Sequence, residues 1–395
     1  MIRVIPPLVV VLLLWGAGLA AAAQFGKFGV VFDLLSARYP GQSAAMIGGV
    51  ISVVGLVGLV LGTTGGLFAA RLGYRRILVA GLAAGAVISV LQALALPLPL
   101  LIASRVIEGL AHLAIVIAGP TLIAQVAPPR QQGLAMTLWS TFFGLSFAFM
   151  AYAGRPLAEA QGLGALLLAH GGVMALFAAL LWAVLPPDPP ASGQRLSLSA
   201  LLRQHGAIYA SPAVSAPALG FFCYALIYLA LLTLIPPMIG GGHEMLIATG
   251  MPLVGIVVSL TLGVWMLRWI SAVALVQGGF ALSALGMVIL WAGWGQPGPM
   301  LTGALMLATA LGLVQGGSFA AIPQLNPDAG ARAQAAGAMA QLGNLGTTSG
   351  TPLLALMIAG QGVHGVALFV LLPSLAGMGL HAWLSMRRRI HPQVF

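Results

Sequence analysis

Of 395 residues, 60% are hydrophobic and only 6% are charged, yet the formal charge is +10. Water-soluble domains carry roughly 25% charged residues, so a water-facing globule is excluded and a chain embedded in lipid is indicated. Nucleic acid is not the implied partner: the cations fall singly between apolar runs, with no basic domain and no Lys/Arg stripe interleaved with aromatics. The single Cys223 excludes an internal disulfide and a cysteine metal cluster. Lys27 is the only lysine among the 16 Lys and Arg, a composition that suggests a GC-rich bacterial genome.

Apolar stretches of about 20 residues recur from end to end, and at 1.5 Å per residue each reaches across the ~30 Å hydrocarbon core. They lack the alternation of barrel strands, so helices are predicted throughout. Twelve spans are expected, at about 5–35, 44–66, 75–95, 98–123, 131–153, 163–185, 213–239, 246–267, 270–292, 300–323, 334–358 and 364–386. The first begins near Arg3 and passes through Ala20 to Ala23, which is also the layout of a cleavable signal peptide. Apolar character resumes through Phe32 and Leu35, so it is read as a retained helix. The longest break opens at Pro186-Pro187-Asp188-Pro189-Pro190. The organisation expected is therefore an N-terminal six-helix bundle (1–185), a cytoplasmic central loop (186–212) and a C-terminal six-helix bundle with a short basic cytoplasmic tail (213–395).

With both termini cytoplasmic, Arg3, Arg71, Arg75, Arg76, Arg130, Arg195, Arg203, Arg268, Arg332, Arg387, Arg388 and Arg389 all lie inside. Arg38 and Arg155 alone fall in external loops, while Lys27 and Arg105 fall within spans. The positive-inside rule then sets the orientation. An internal repeat supports two homologous halves. Gly66 to Arg71 after span two has the spacing of Gly263 to Arg268 after span eight. Gly109 to Pro120 in span four matches Gly312 to Pro323 in span ten. Gly133 with Ser140 in span five matches Gly337 with Asn344 in span eleven. All three offsets are close to half the chain, and such parallel repeats are a transporter plan.

After span two the chain reads Gly66-Leu-Phe-Ala-Ala70-Arg71-Leu-Gly73-Tyr-Arg75-Arg76, and span four contains Arg105-Val-Ile-Glu108-Gly109. These segments resemble two signature motifs of the major facilitator superfamily, and twelve spans with a long central loop extend the resemblance over the chain. It implies an all-α membrane fold of two pseudo-symmetric six-helix bundles, alternating access, and a gating loop formed by Gly66, Arg71, Gly73, Arg75 and Arg76. Where the family usually has an acidic residue this chain has Ala70, which leaves the three arginines without the partner of the family's latch. Gly144-Leu-Ser-Phe-Ala-Phe-Met-Ala-Tyr in span five does not match the Gly-Pro motif of drug antiporters, and span one lacks the Asn-x-Arg-Pro of cyanate-permease-like members.

Ionisable groups inside a membrane are costly and become functional candidates. Arg105, Glu108 and His112 are spaced i, i+3 and i+7 on one face of span four, and Gln24 and Lys27 share a face of span one. The resemblance implies that spans one, four, seven and ten line the central cavity, so Lys27 and Arg105 are expected to face a shared aqueous path and favour an anionic solute. Glu108 and His112 are the candidates for proton coupling. His112 and Gln315 stand three residues after repeat-related glycines and are expected to face each other. Tyr224 and Tyr228 in span seven and Asn344 in span eleven complete the candidate binding set, with Gln341, Thr347 and Thr348 as polar neighbours. The bland alternatives are an Arg105–Glu108 pair that only holds the fold, snorkelling of Lys27 and Asp33, and helix-packing roles for His170, Gln341 and Asn344.

The expected function is a secondary transporter of a small polar, anionic organic solute, proton-coupled, working as a monomer in a bacterial inner membrane without a cofactor. Proton-driven efflux of drugs or metabolites is the alternative. Met238, His243 and Met245 offer a weaker one, import of a soft metal such as copper. No Walker motif occurs, and His243-Glu244-Met245 lacks the second His of a metalloprotease helix, so an enzyme is not expected.

Overall fold

A computed structural model describes residues 6–188, 198–239 and 242–390. Arg3, Arg195, Pro189 and Pro190 lie outside the described residues. Among the described residues all regular structure is helical. α1 (Pro7–Gly29) starts on a proline whose missing N–H costs nothing at a first turn, and α2 (Phe32–Arg38) follows after a short break. α3 (Ala44–Ser52), capped by Ser43 accepting from the Met46 amide at 3.2 Å, and α4 (Gly55–Leu72) form one span bent by 54°. Two unbroken spans follow: α5 (Tyr74–Ala93) and α6 (Leu98–Val126), the latter with Pro120 inside it.

The fifth span is broken into α7 (Gln132–Ser140), α8 (Phe142–Phe149), a π turn at Met150–Gly154 and α9 (Arg155–Gln161). α10 (Leu163–Val184) completes six. α11 (Leu198–Ala210) is a helix within the stretch expected to be central loop. α12 (Ser215–Ile239) is followed by α13 (Glu244–Val258), a π turn at Ser259–Gly263, and α14 (Val264–Met266). The last four spans are α15 (Ala272–Ala292), α16 (Pro297–Leu325), α17 (Ala329–Gln361) and α18 (Val363–Ile390).

Among the described residues, nine helices are long and apolar enough to cross a membrane, and the two bent pairs raise this to 11. α17 occupies the remaining expected position and is long enough at 33 residues, but its Gly, Gln, Asn and Thr content keeps it less apolar. Large apolar side chains stay exposed along the helices, among them Leu134 (74%), Val60 (65%) and Val87 (60%). Such a surface suits hydrocarbon, where backbone polar groups are already satisfied within each helix.

Contacts divide the chain into two compact units, Met1–Pro40 with Thr64–Arg195, and Gly41–Thr63 with Leu196–Phe395. In the first unit α5 packs on α6 and α10, and α1 packs on α6, α8 and α10. Leu14, Leu78, Leu82, Ile115, Met174 and Leu181 fill its core. In the second unit the strongest pairings are α15 with α16 and α12 with α17, and α3 lies on α17. These approaches depend on glycine: Gly346 and Gly350 of α17 sit directly on the α12 backbone at Phe222 and Leu226, where small residues let helices meet in lipid. α11 is held by Ile208 packing with Ala335, Ala338 and Met339. Its Tyr209 hydroxyl donates to Gln341 Oε1 at 2.8 Å. Burial pushes the Tyr209 phenol up to about 12, so it remains a neutral donor.

Gly346→Val must displace the α12 backbone, and overpacking of this kind costs about 1–3 kcal/mol. The yield of monodisperse protein in detergent should fall, whereas Gly360→Ala, with nothing within 4 Å of an added Cβ, should leave it unchanged.

Candidate functional site

The first unit buries a polar network among apolar helices. α1 contributes Gln24 and Lys27, α5 contributes Ser89 and Gln92, α6 contributes Arg105, Glu108 and His112, and α10 contributes His170. In α1, α5 and α6 the spacing of three or four puts the polar groups on one inward face. Lys27 Nζ lies 2.6 Å from Glu108 Oε1, and Arg105 Nη1 lies 2.5 Å from Glu108 Oε2. Arg105 Nη1 also donates to the Gln24 carbonyl at 2.7 Å, and Gln92 Nε2 donates to Glu108 Oε2 at 3.0 Å. Lys27, Arg105 and Glu108 are each 0% exposed. Charges so buried persist only when paired and hydrogen-bonded, and one carboxylate here serves two cations. The Phe28 ring covers both, 5.6 Å from Lys27 Nζ and 4.8 Å from the Arg105 guanidinium.

The network extends to both sides. Lys27 donates to Ser89 Oγ at 3.0 Å, which itself lies 2.9 Å from the Leu167 carbonyl and 3.0 Å from His170 Nδ1. His170 Nε2 faces the Ala20 carbonyl at 3.0 Å, so that nitrogen carries a proton, while the single Ser89 hydroxyl proton has both the Leu167 carbonyl and His170 Nδ1 as acceptors within reach. His112 Nδ1 faces two acceptors, the Ala21 carbonyl at 3.1 Å and Gln24 Oε1 at 3.2 Å. The proton therefore sits on Nδ1, and Nε2 is the lone-pair nitrogen of the neutral ring. Phe25 meets His112 edge-on at 5.1 Å and continues at 5.8 Å into Phe143, which stacks on Phe147.

This geometry alters several expectations. Lys27 and Arg105 do not present free charge to an aqueous path in this structure, because Glu108 neutralises part of both and no surface of either is open. Lys27 does not snorkel; it points into the bundle. His170, read as a helix-packing hydrogen bonder, does bond to neighbouring helices at Ser89 and the Ala20 carbonyl, and through Ser89 it also reaches Lys27. Ser89, Gln92 and Ser104 escaped the sequence reading. The signal for Ser89 and Gln92 was a polar pair three apart in the apolar body of span three; that for Ser104 was its place beside Arg105 in span four.

In the second unit Tyr224 and Tyr228 are buried and stack at 5.0 Å. Gln315 is half-buried on α16, and the half-buried Asn344 turns its amide back onto the Ala340 carbonyl at 2.8 Å. Gln341 bridges the Tyr209 hydroxyl and the Leu59 carbonyl, the latter at 2.8 Å. Among the described residues no group of three or more His, Cys, Asp or Glu is placed to hold a metal ion.

The loop with the missing acidic residue finds a carboxylate elsewhere. Gly66 lies inside α4, Arg71 is exposed at its end, and Gly73 precedes α5 with φ +96°. Asp188, just beyond α10, accepts from the Arg75 and Arg76 amides, each at 2.9 Å. It caps α5 as an N-terminal carboxylate should, and an added Cβ at Gly73 would collide with it. Arg75 lies 4.1 Å from the Trp182 ring and donates to the Trp182 carbonyl at 2.7 Å. The partner that Ala70 cannot supply to this loop is thus a cap on backbone amides, not an ion pair with the arginines. Asp33, expected at an interface, is 44% exposed on its side chain and pairs with Arg155 at 2.9 Å.

Glu108→Gln would leave two cations buried beside a neutral amide, and breaking a buried pair costs about 3–5 kcal/mol. Thermal stability in detergent should drop sharply, and Lys27→Met in the same chain should recover part of it. Asp188→Ala removes the cap, worth about 1 kcal/mol; hydrogen exchange at the Arg75 and Arg76 amides should accelerate while that of the α5 core does not.

Comparison with known proteins places this architecture. The chain aligns along nearly its whole length with a solved bacterial homologue of the human lysosomal transporter Spinster, in an inward-facing, unoccupied conformation. The match has a TM-score of 0.71 at 14% identity and covers 96% of this chain and 95% of the other. A gallate transporter from Pseudomonas putida is 31% identical over 147 residues, 37% of this chain and only 32% of that relative's length. The family model described as Major Facilitator Superfamily matches residues 13–351. With that match over most of its length, this multi-pass membrane protein belongs to the Major Facilitator Superfamily of transporters.

Proposed function

We propose that the protein is a proton-coupled transporter of a small organic anion, working by alternating access. The observation that carries this reading is the buried Lys27–Glu108–Arg105 network, in which two cations share one carboxylate. A carboxylate solute can compete with Glu108 for the cations, and the displaced Glu108 is then neutralised by a proton. Solute binding and proton uptake become one event, because low-dielectric surroundings penalise a bare charge of either sign. His112, exposed by 8% where the network's charges are not, is the member best placed to meet a solute first. Its Nε2 lone pair suits a hydroxyl donor. Tyr224, Tyr228, Gln315 and Asn344 are proposed as the second unit's polar lining. The likeness over part of the chain to a transporter named for gallate, a carboxylate, supports the anionic class.

The distribution of arginines supports an N-in, C-in orientation in a bacterial inner membrane, and the proposal treats the single chain as the working unit. Proteoliposomes with an imposed pH gradient test it. Uptake of aromatic and aliphatic carboxylates should exceed that of amines and sugars and collapse with a protonophore. Lys27→Ala and His112→Ala should each cut uptake at least tenfold. Preference for cationic solutes, or unchanged kinetics in both variants, would sink the reading.

A further inference from the structure

A small cavity lies inside the first unit, at the end where α1 and α2 finish and α6 and α10 begin. It offers about 10 Å³ to the centre of a water molecule, enough for about one water. Its floor is buried: Phe28, Leu35, Gln92, Leu101 and Leu167 expose almost nothing, while Arg38 and Ala95 at its rim are exposed. Three further observations converge here. Gln92 is 3% exposed, and its Oε1 has no hydrogen-bond partner among the described residues. The other end of the same amide donates to Glu108 Oε2 at 3.0 Å and to Ser104 Oγ at 3.1 Å. An ionised carboxylate only accepts, so the amide orientation is set, with nitrogen toward Glu108 and oxygen left over. Finally, Ala95 is the one non-glycine residue with positive φ (63°) among the described residues. Strained backbone of this kind persists where surrounding structure enforces it, often at functional positions.

Apolar cavities stay dry, whereas a water needs polar partners. Gln92 Oε1 is one. Of the final carbonyls of α5, which ends at Ala93 in the cavity wall, Leu91's accepts from the Leu94 amide, and the helix end carries partial negative charge that favours a proton-donating guest. We propose that this cavity is a water-filled proton port serving Glu108, entered from the outer face on the proposed orientation and distinct from the solute's path. It rests on the coupling role given to Glu108 above. Gln92 is its gate. With the amide in place, its nitrogen occupies Glu108 Oε2 and separates the carboxylate from the cavity. When the amide swings aside, cavity water reaches Oε2. A hydronium ion then passes its proton to the Glu108 carboxylate and leaves neutral water behind. The charged and titratable groups around Glu108 are Lys27 from α1, Arg105 and His112 from α6, and His170 from α10. The paired cations and the Gln92 amide together oppose proton delivery to Glu108, so it is slow until solute displaces the carboxylate and the amide moves. At the mouth the Tyr39 hydroxyl donates to the Leu96 carbonyl at 2.6 Å, tying α2's end to the turn before α6.

Gly164 offers a way to plug the port without touching the network, since an added Cβ there meets only the Ala93 carbonyl at 3.5 Å. Gly164→Leu should slow pH-driven uptake in proteoliposomes several-fold while solute exchange at equal pH stays within twofold of wild type. Gly164→Ala serves as the folded control. Gln92→Ala should raise the solute-independent proton leak several-fold. Hydroxyl radicals generated from water by radiolysis should label the buried Leu101 and Leu167, which line the cavity. No labelling there, or leak and pH-driven uptake unchanged in both Gln92→Ala and Gly164→Leu, would overturn the port. If no pH gradient drives solute into wild-type vesicles, the coupling role fails together with the transport reading. Labelling of Leu101 and Leu167 would then still decide whether the cavity is wet.

Discussion

Two cations and one carboxylate, none exposed, sit among the helices of the first unit, and the surrounding structure is arranged to make that tolerable. An isolated charge in such a place would cost many kcal/mol and would shed or gain a proton instead. The cost is offset by direct pairing, by the Gln24 carbonyl and the Ser89 hydroxyl as acceptors, by the Gln92 amide as donor to Glu108, and by the Phe28 face. Four helices must hold register for these contacts to coexist. The network is therefore both a fold-specifying device and the place where a change of one charge has the largest structural consequence. That double character suits a carrier whose conformations differ in which charges are satisfied.

The second unit is built differently. Glycines bring helices together in both units, Gly81 and Gly171 in the first and Gly346, Gly350 and Gly312 in the second, but the second unit's polar side chains are mostly uncharged. Asn344 folds back on its own helix, while Gln341 joins α11 to α4 through Tyr209 and Leu59. A bundle held by backbone proximity and neutral hydrogen bonds can slide or re-register at lower electrostatic cost than one held by buried ions. The asymmetry seen in residue types thus corresponds to a difference in how each half is held together.

Asp188 shows how a local motif can be completed from a distance. α5 begins at a glycine with positive φ, and its first amides need an acceptor. Ala70 offers none, and the end of α10 delivers one across more than a hundred residues of chain. The same contact ties the start of the central segment to the loop between the second and third spans.

Length, hydropathy and the spacing of arginines determined by themselves that the chain is helical, spans the membrane repeatedly and carries Arg105, Glu108 and His112 on one face. These are local periodicities, and lipid leaves the backbone no alternative to the helix. The helix in the central segment and the breaks at Val53, Thr141 and the two π turns were not legible, because they depend on packing against neighbours. Nor could a sequence decide what Lys27 faces. A lysine near the end of an apolar run reads equally well as snorkelling, solute-binding or paired. Only tertiary structure decided that it turns inward to Glu108, that Ser89 links it to His170, and that Gln92 stands between Glu108 and a cavity. The Lys27–Ser89, Lys27–Glu108 and Ser89–His170 pairings join residues 62 to 81 positions apart in sequence, and nothing short of the folded bundle brings them within hydrogen-bonding distance.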